Sequence, residues 1–160
     1  MMAERAPVVS VIGAGVSTPE QTRLAEDIGR LLGESGAVLV CGGRGGVMAA
    51  ACRGAQQAGG ITIGLLPGNN PDDGNAHLTV AIPTGLGHAR NALVAIAGTS
   101  VIAIGGGPGT LSEIAIALKT GRRVITLQSW SMKDSSGNPA AVLEAGSPEE
   151  AVRLALAKEV

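Results

Sequence analysis

The chain has 160 residues, enough for one domain with a sizeable core and too few for a two-domain enzyme. Twelve Lys plus Arg against thirteen Asp plus Glu give a formal charge of −1, and Trp130 is the only aromatic residue, so neither a basic field nor stacking rings support a nucleic-acid partner. No apolar run approaches the ~18–20 residues of a membrane span, and Glu4 and Arg5 precede a short strand-like run rather than a secretory leader, so a soluble cytoplasmic protein is expected.

The first strand is predicted at 8–13. Thr18 then caps a helix with Pro19 at its first position and Gln21 completing a capping box. Leu24, Ile28, Leu31 and Leu32 share one face of that helix, with Arg23, Glu26, Asp27, Arg30 and Glu34 around the rest. A second strand at 37–41 leads to a helix over 46–58 that buries Val47, Ala51, Ala55 and Ala58, small residues that let it lie close to a sheet. Strands follow at 61–66 and 78–82. The helices through 92–97 (ALVAIA) and 114–118 (IAIAL), each followed or preceded by strands at 101–104 and 124–127, are apolar around most of their circumference. Such faces need cover, which predicts a homo-oligomer, a dimer or tetramer. Residues 128–146 read as a polar loop in which Trp130 is an anchor or a lid. Ser147, Pro148 and Glu150 open a last helix. Six continuous apolar strands alternating with five helices predict a doubly wound α/β fold, a mainly parallel sheet flanked by helices on both faces, with 1–160 as a single domain.

Three glycine-rich turns lie on the carboxyl side of predicted strands, where such folds bind ligands. They are GAGVS at 13–17, GGRGG at 42–46 and GGGPGT at 105–110. Glycine lets the backbone approach an anion, and a helix N-terminus favours negative charge. A small phosphate-bearing ligand is therefore expected against Gly13, Gly15, Gly42, Gly43, Gly45, Gly46, Gly106, Gly107, Gly109 and Thr110. The dinucleotide fingerprint is incomplete, since position 18 is Thr and the second strand ends at Cys41 without a ribose-binding carboxylate; the P-loop pattern is absent. Arg44, inside its glycine turn, is placed to reach an oxyanion. Arg90 opens a helix whose dipole it opposes, so an anion or Glu113 is its expected partner. Glu113 itself has two readings, a capping-box carboxylate three residues after Thr110 or an acid/base group beside the phosphate turn. His88 and His77 read as exposed loop residues, and Cys41 and Cys52 as small buried hydrophobes, with no cluster that ligates a metal.

The stretch 42–68, followed by TGLGHARN and GGGPGTLSEIAIALKTGRRVI, resembles the Rossmann-like family that contains the Lonely Guy phosphoribohydrolases and the molybdenum cofactor carrier proteins. The resemblance runs from about 8 to 127, and the short length with TGLGHAR is closer to the carrier branch. Gly106, Gly107, Gly109, Thr110 and Glu113 match the hydrolases' PGGxGTxxE motif residue by residue, and Arg90 its upstream arginine. Gly105 replaces the leading proline, and Asn91 follows Arg90 where the hydrolases carry a lysine. The resemblance to the carriers implies a protein that binds and protects the molybdenum cofactor, a phosphorylated pterin with a dithiolene-held oxo-metal, and hands it to molybdenum-enzyme recipients. The resemblance to the hydrolases implies instead cleavage of a nucleoside 5′-monophosphate, with Glu113 and Arg90 as its catalytic residues.

Overall fold

The computed structural model describes residues 3–158. In chain order the elements are β1 (Val8–Gly13), α1 (Pro19–Glu34), β2 (Val38–Cys41), α2 (Val47–Gln57), β3 (Thr62–Leu66), β4 (Val80–Pro83), α3 (Arg90–Ala97), β5 (Ser100–Ile104), α4 (Pro108–Lys119), β6 (Arg123–Leu127), β7 (Leu143–Glu144) and α5 (Pro148–Leu156). Short 3-10 turns sit at Pro71–Asp73 and Gly87–Ala89. The strands form one sheet in the order β4-β3-β2-β1-β5-β6-β7, and every neighbouring pair is parallel. This is the doubly wound α/β architecture that the continuous apolar strands require, because both faces of a parallel sheet must be covered.

Alternation along the strands divides the core into two layers. Val9, Val11, Leu39, Cys41, Ile102, Ile104, Ile125 and Leu127 pack beneath α1, α2 and α5. Ile12, Val101, Ala103 and Val124 meet Val94 and Ala95 of α3 and Ile114 and Ala117 of α4 on the opposite face. α1 and α2 approach backbone to backbone, since a Cβ on Gly29 would land on the Ala51 carbonyl and one on Gly54 on the Glu26 carbonyl. Arg53 ties the same pair from the side through Glu26, at 2.8 Å.

The first helix starts as its sequence signals. Thr18 Oγ1 accepts from the Gln21 N–H at 3.1 Å and Gln21 Oε1 accepts from the Thr18 N–H at 3.0 Å. α5 is capped by Ser147, but the Glu150 carboxylate accepts from the Gly146 N–H rather than closing a box on Ser147. α2 occupies 47–57, with Gly46 and Ala58 as its caps, and Ala58 and Leu31 are half-buried rather than buried. The strand expected at 78–82 starts at Val80, because Leu78 turns into the core beneath the sheet and Thr79 bonds across to Thr62. The segment 128–146 is not wholly a loop: it carries β7, a seventh strand, and a bridge between Lys133 and Pro139. β7 is a two-residue edge strand with both side chains exposed, so no buried periodicity marked it. Among the described residues no helix is long and apolar enough to cross a membrane.

Candidate functional site

β1 pairs with β2 on one side and β5 on the other, so the chain reverses its direction of winding between β1 and β5. The crevice beyond the carboxyl ends of strands at such a reversal is where open α/β sheets take ligands. The turns after β1, β2 and β5 converge there. A cavity of about 320 Å³ is lined by Gly13, Gly15, Gly42, Met48, Arg90, Asn91, Gly107, Gly109, Thr110 and Glu113, with Val11 and Ile12 at its floor and His88 and Pro108 at its rim. A second lobe of about 480 Å³ shares Gly15, His88 and Arg90 with the first and adds Arg44, Gly45, Pro67 and Gly87. Both volumes fall in the ~300–1,000 Å³ range of small-molecule sites.

The expected glycines divide by role. Gly15, Gly45 and Gly107 have room where a Cβ would stand and leave their backbone open to the cleft. Gly43, Gly46 and Gly106 do not line it; a Cβ on Gly46 would strike the 14–15 backbone, and one on Gly106 the Thr110 side chain. These glycines shape the turns, and the first group meets whatever the cleft holds.

Three helices, α2, α3 and α4, begin at the cleft without a side-chain cap, and glycine turns lead into two of them. α2 starts at Gly46 and α4 at Gly107, whereas α1 and α5, whose starts do not line the cleft, are capped by Thr18 and Ser147. Unpaired N–H groups at a helix start carry partial positive charge and need an acceptor. The Val47 N–H at the start of α2 is taken by the Ala14 carbonyl at 2.9 Å, so the open start is that of α4, whose residues Gly107–Thr110 line the cavity.

Arg90 is held differently from the expectation. Its guanidinium donates through Nη1 to the carbonyls of Gly42 and Leu65, the latter at 2.6 Å, and through Nε to Asn91 Oδ1 at 3.1 Å. It clamps the ends of β2 and β3 while lining both lobes, and makes no ion pair with Glu113 within the described residues. Burial lowers its pKa, with nearby Glu113 opposing that effect. A Cβ at position 42 would collide with the guanidinium, so glycine there is what admits the clamp.

The capping-box reading of Glu113 is overturned. α4 begins at Pro108, so Thr110 is already its third residue and the Glu113 side chain points to the cleft instead of the helix start. Burial pushes its carboxyl up to about 7, with Arg90 pulling the other way. Arg44 is exposed, its carbonyl tied by Asn75 Nδ2 at 3.0 Å, and its guanidinium faces the second lobe without an ion pair among the described residues.

Met48, Asn91 and His88 join the site although the sequence reading gave them no ligand role. Asn91 orients Arg90 and also donates to Ser112 Oγ at 3.3 Å, and its position directly after the arginine was the available signal. Trp130 is an anchor, not a lid: its indole N–H donates to the Gly107 carbonyl at 3.2 Å from behind the turn. Ser129 Oγ holds the Gly105 carbonyl at 2.7 Å beside it.

The chain resembles an uncharacterized protein of Archaeoglobus fulgidus, 40% identical over 156 residues, covering 95% of this chain and 96% of that one. Among solved structures it is similar to the molybdenum cofactor binding protein from the phototrophic bacterium Rippkaea orientalis, at 40% identity and a TM-score of 0.87 over 95% of this chain and 96% of that one. It is also similar to the molybdenum cofactor carrier protein of Chlamydomonas reinhardtii, at 32% identity and a TM-score of 0.78 over 92% and 94% of the two chains. The SLOG cluster4 family matches residues 6–152, which hold every strand of the sheet and every turn of the cleft, and the chain belongs to that family.

Proposed function

We propose that this protein binds the molybdenum cofactor as a carrier that holds the phosphorylated pterin and shields it until transfer to a molybdenum enzyme. The observation that carries the reading is the uncapped start of α4 opening on one two-lobed cleft that Arg44 and Arg90 also line. A cofactor with a phosphate at one end and an oxo-metal at the other needs positive potential at two separated places, and the lobes supply it at both. Gly15, Gly45 and Gly107 leave space for close backbone approach. The similarity to cofactor-binding proteins at 40% and 32% identity points the same way. A cytoplasmic location and a homo-oligomeric state belong to the same reading. The second is supported by a groove of about 650 Å³ along α3 and α4, lined by Ala89, Ala92, Pro108 and Ile116 together with His88, Asn91 and Ser112.

The test is the lifetime of the cofactor in air with and without the purified protein, run beside a panel of nucleoside 5′-monophosphates. Slower cofactor decay with intact nucleotides is expected. Equal decay in both samples, or release of free base from a nucleotide, overturns the carrier reading, the latter in favour of a phosphoribohydrolase acting through Glu113.

A further inference from the structure

Beneath the 42–46 turn lie two free thiols that the proposed function does not use. Cys41 is the last residue of β2 and Cys52 sits midway along α2; both are fully buried, with their sulfurs 3.6 Å apart. The pair is wired into the supports of the turn. Cys41 Sγ accepts a hydrogen bond from the Gly43 N–H at 3.3 Å. The Asn75 side chain lies against the Cys52 sulfur, and the same residue fixes the turn from outside, its N–H donating to the Gly43 carbonyl at 2.9 Å and its Nδ2 to the Arg44 carbonyl at 3.0 Å.

We propose that Cys41 and Cys52 form a dithiol–disulfide couple, and that closing the disulfide slackens the 42–46 turn of the cleft. Its consequence for cofactor retention rests on the function proposed above; the couple itself does not. Bond formation requires the sulfurs to approach by about 1.5 Å from van der Waals contact to a covalent length. α2 is locked to α1 through the backbone contacts at Gly29 and Gly54, so the movement falls on the Cys41 side, where β2 gives way to two glycines. A disulfide sulfur is a poor acceptor, so the Gly43 N–H loses its partner in the same step.

The chemistry needs a hydroperoxide as oxidant. One thiolate of the pair attacks the peroxide oxygen, leaving a sulfenic acid and releasing water or alcohol; the other thiol then attacks that sulfur and expels water. Two electrons and two hydrogens pass from the thiols to the peroxide. The shared contact lowers the Cys52 thiol and raises that of Cys41. Because both sulfurs are buried, the oxidant enters when the turn opens, and an occupied cleft slows the reaction.

Hydrogen peroxide is added to the full chain and to Cys52→Ala, a substitution that suits a helix already carrying Ala49, Ala50 and Ala51. In the wild type both thiols should vanish together with a mass loss of two hydrogens, reversed by a dithiol reductant. Backbone hydrogen exchange at 42–46 should rise roughly fivefold, the loss of one ordinary hydrogen bond. Cys52→Ala should show neither change. Thiols that survive peroxide oxidation of the methionines, or a disulfide that leaves exchange at 42–46 unaltered, overturn the proposal. Exchange is read without ligand, so failure of both redox forms to hold the cofactor counts against the carrier function and leaves the couple standing.

Discussion

Glu113 is a carboxylic acid placed where its charged form is disfavoured, since no hydrogen bond from the described residues supports it and burial is only partly offset by Arg90. With its pKa moved from 4.5 to about 7, the folded protein holds a proton that the unfolded chain has already released across that interval. Stability contributed by the neutral acid is therefore complete below 4.5, declines as pH rises, and is gone above about 7. Glu113→Gln should abolish that slope and make the protein more stable than wild type at pH 8 by on the order of 1–3 kcal/mol, measured by denaturant unfolding across pH. The same substitution should flatten the pH dependence of anion binding, which in the wild type weakens as the carboxylate forms beside the ligand. The two arginines separate by a different measurement. Arg90→Ala strands the Gly42 and Leu65 carbonyls and should cost about 1–3 kcal/mol for each. Arg44→Ala should weaken binding while stability stays within about 0.5 kcal/mol. Both residues were legible as cleft residues from their neighbouring glycines. That Arg90 braces two strand ends was not, because the carbonyls it meets lie 48 and 25 residues away in the chain.

At the scale of elements, the contrast between capped and uncapped helices sets binding against stability. The start of α1 was readable because Thr18, Pro19 and Gln21 carry a local hydrogen-bond pattern that needs nothing else from the fold. The start of α4 was not, because Pro108 and its glycine neighbours mark a turn as readily as a helix, and the spacing of Thr110 and Glu113 imitates a box one turn too late. Gly107 is extended, with φ −103° and ψ −156°, and a Cβ there meets nothing. Gly107→Asp should therefore supply the missing cap and leave thermal stability unchanged or raised, by a few tenths of a kcal/mol. It also puts a carboxylate at the cleft where the proposed function seats the anion, so on that reading retention of the cofactor should fall sharply. A variant that is both destabilised and binding-competent would mean that the helix start serves the fold rather than the ligand. Two-residue β7 was the other element the sequence did not disclose, for want of any buried side chain in it.

On the whole molecule, the two faces of the sheet are unequally covered. α1, α2 and α5 pack one face, whereas only α3 and α4 pack the other. The register pairs Ile63 with Val80 and Leu65 with Ile82, so these four side chains share the face of α3. Val80 and Ile82 are left 42% and 41% exposed, and Ile96 on the outer side of α3 is 38% exposed. Apolar surface of this kind, beside the groove along α3 and α4, gains on the order of 1 kcal/mol for each such side chain, already more than half buried, that a second subunit covers. The apolar circumference of the two helices was visible in the sequence, but the bare β3–β4 face was not, because its exposure depends on which strands α3 fails to reach. Wild-type protein should sediment as a dimer or tetramer at micromolar concentration. Ile82→Glu combined with Ile96→Glu should yield a folded monomer, since both positions are already partly in water. His88, Asn91, Pro108 and Gly109 belong both to this groove and to the ligand cleft, so the monomer should also hold the cofactor more weakly. A wild-type protein that sediments as a monomer would leave the apolar face unexplained and remove the link between assembly and ligand retention.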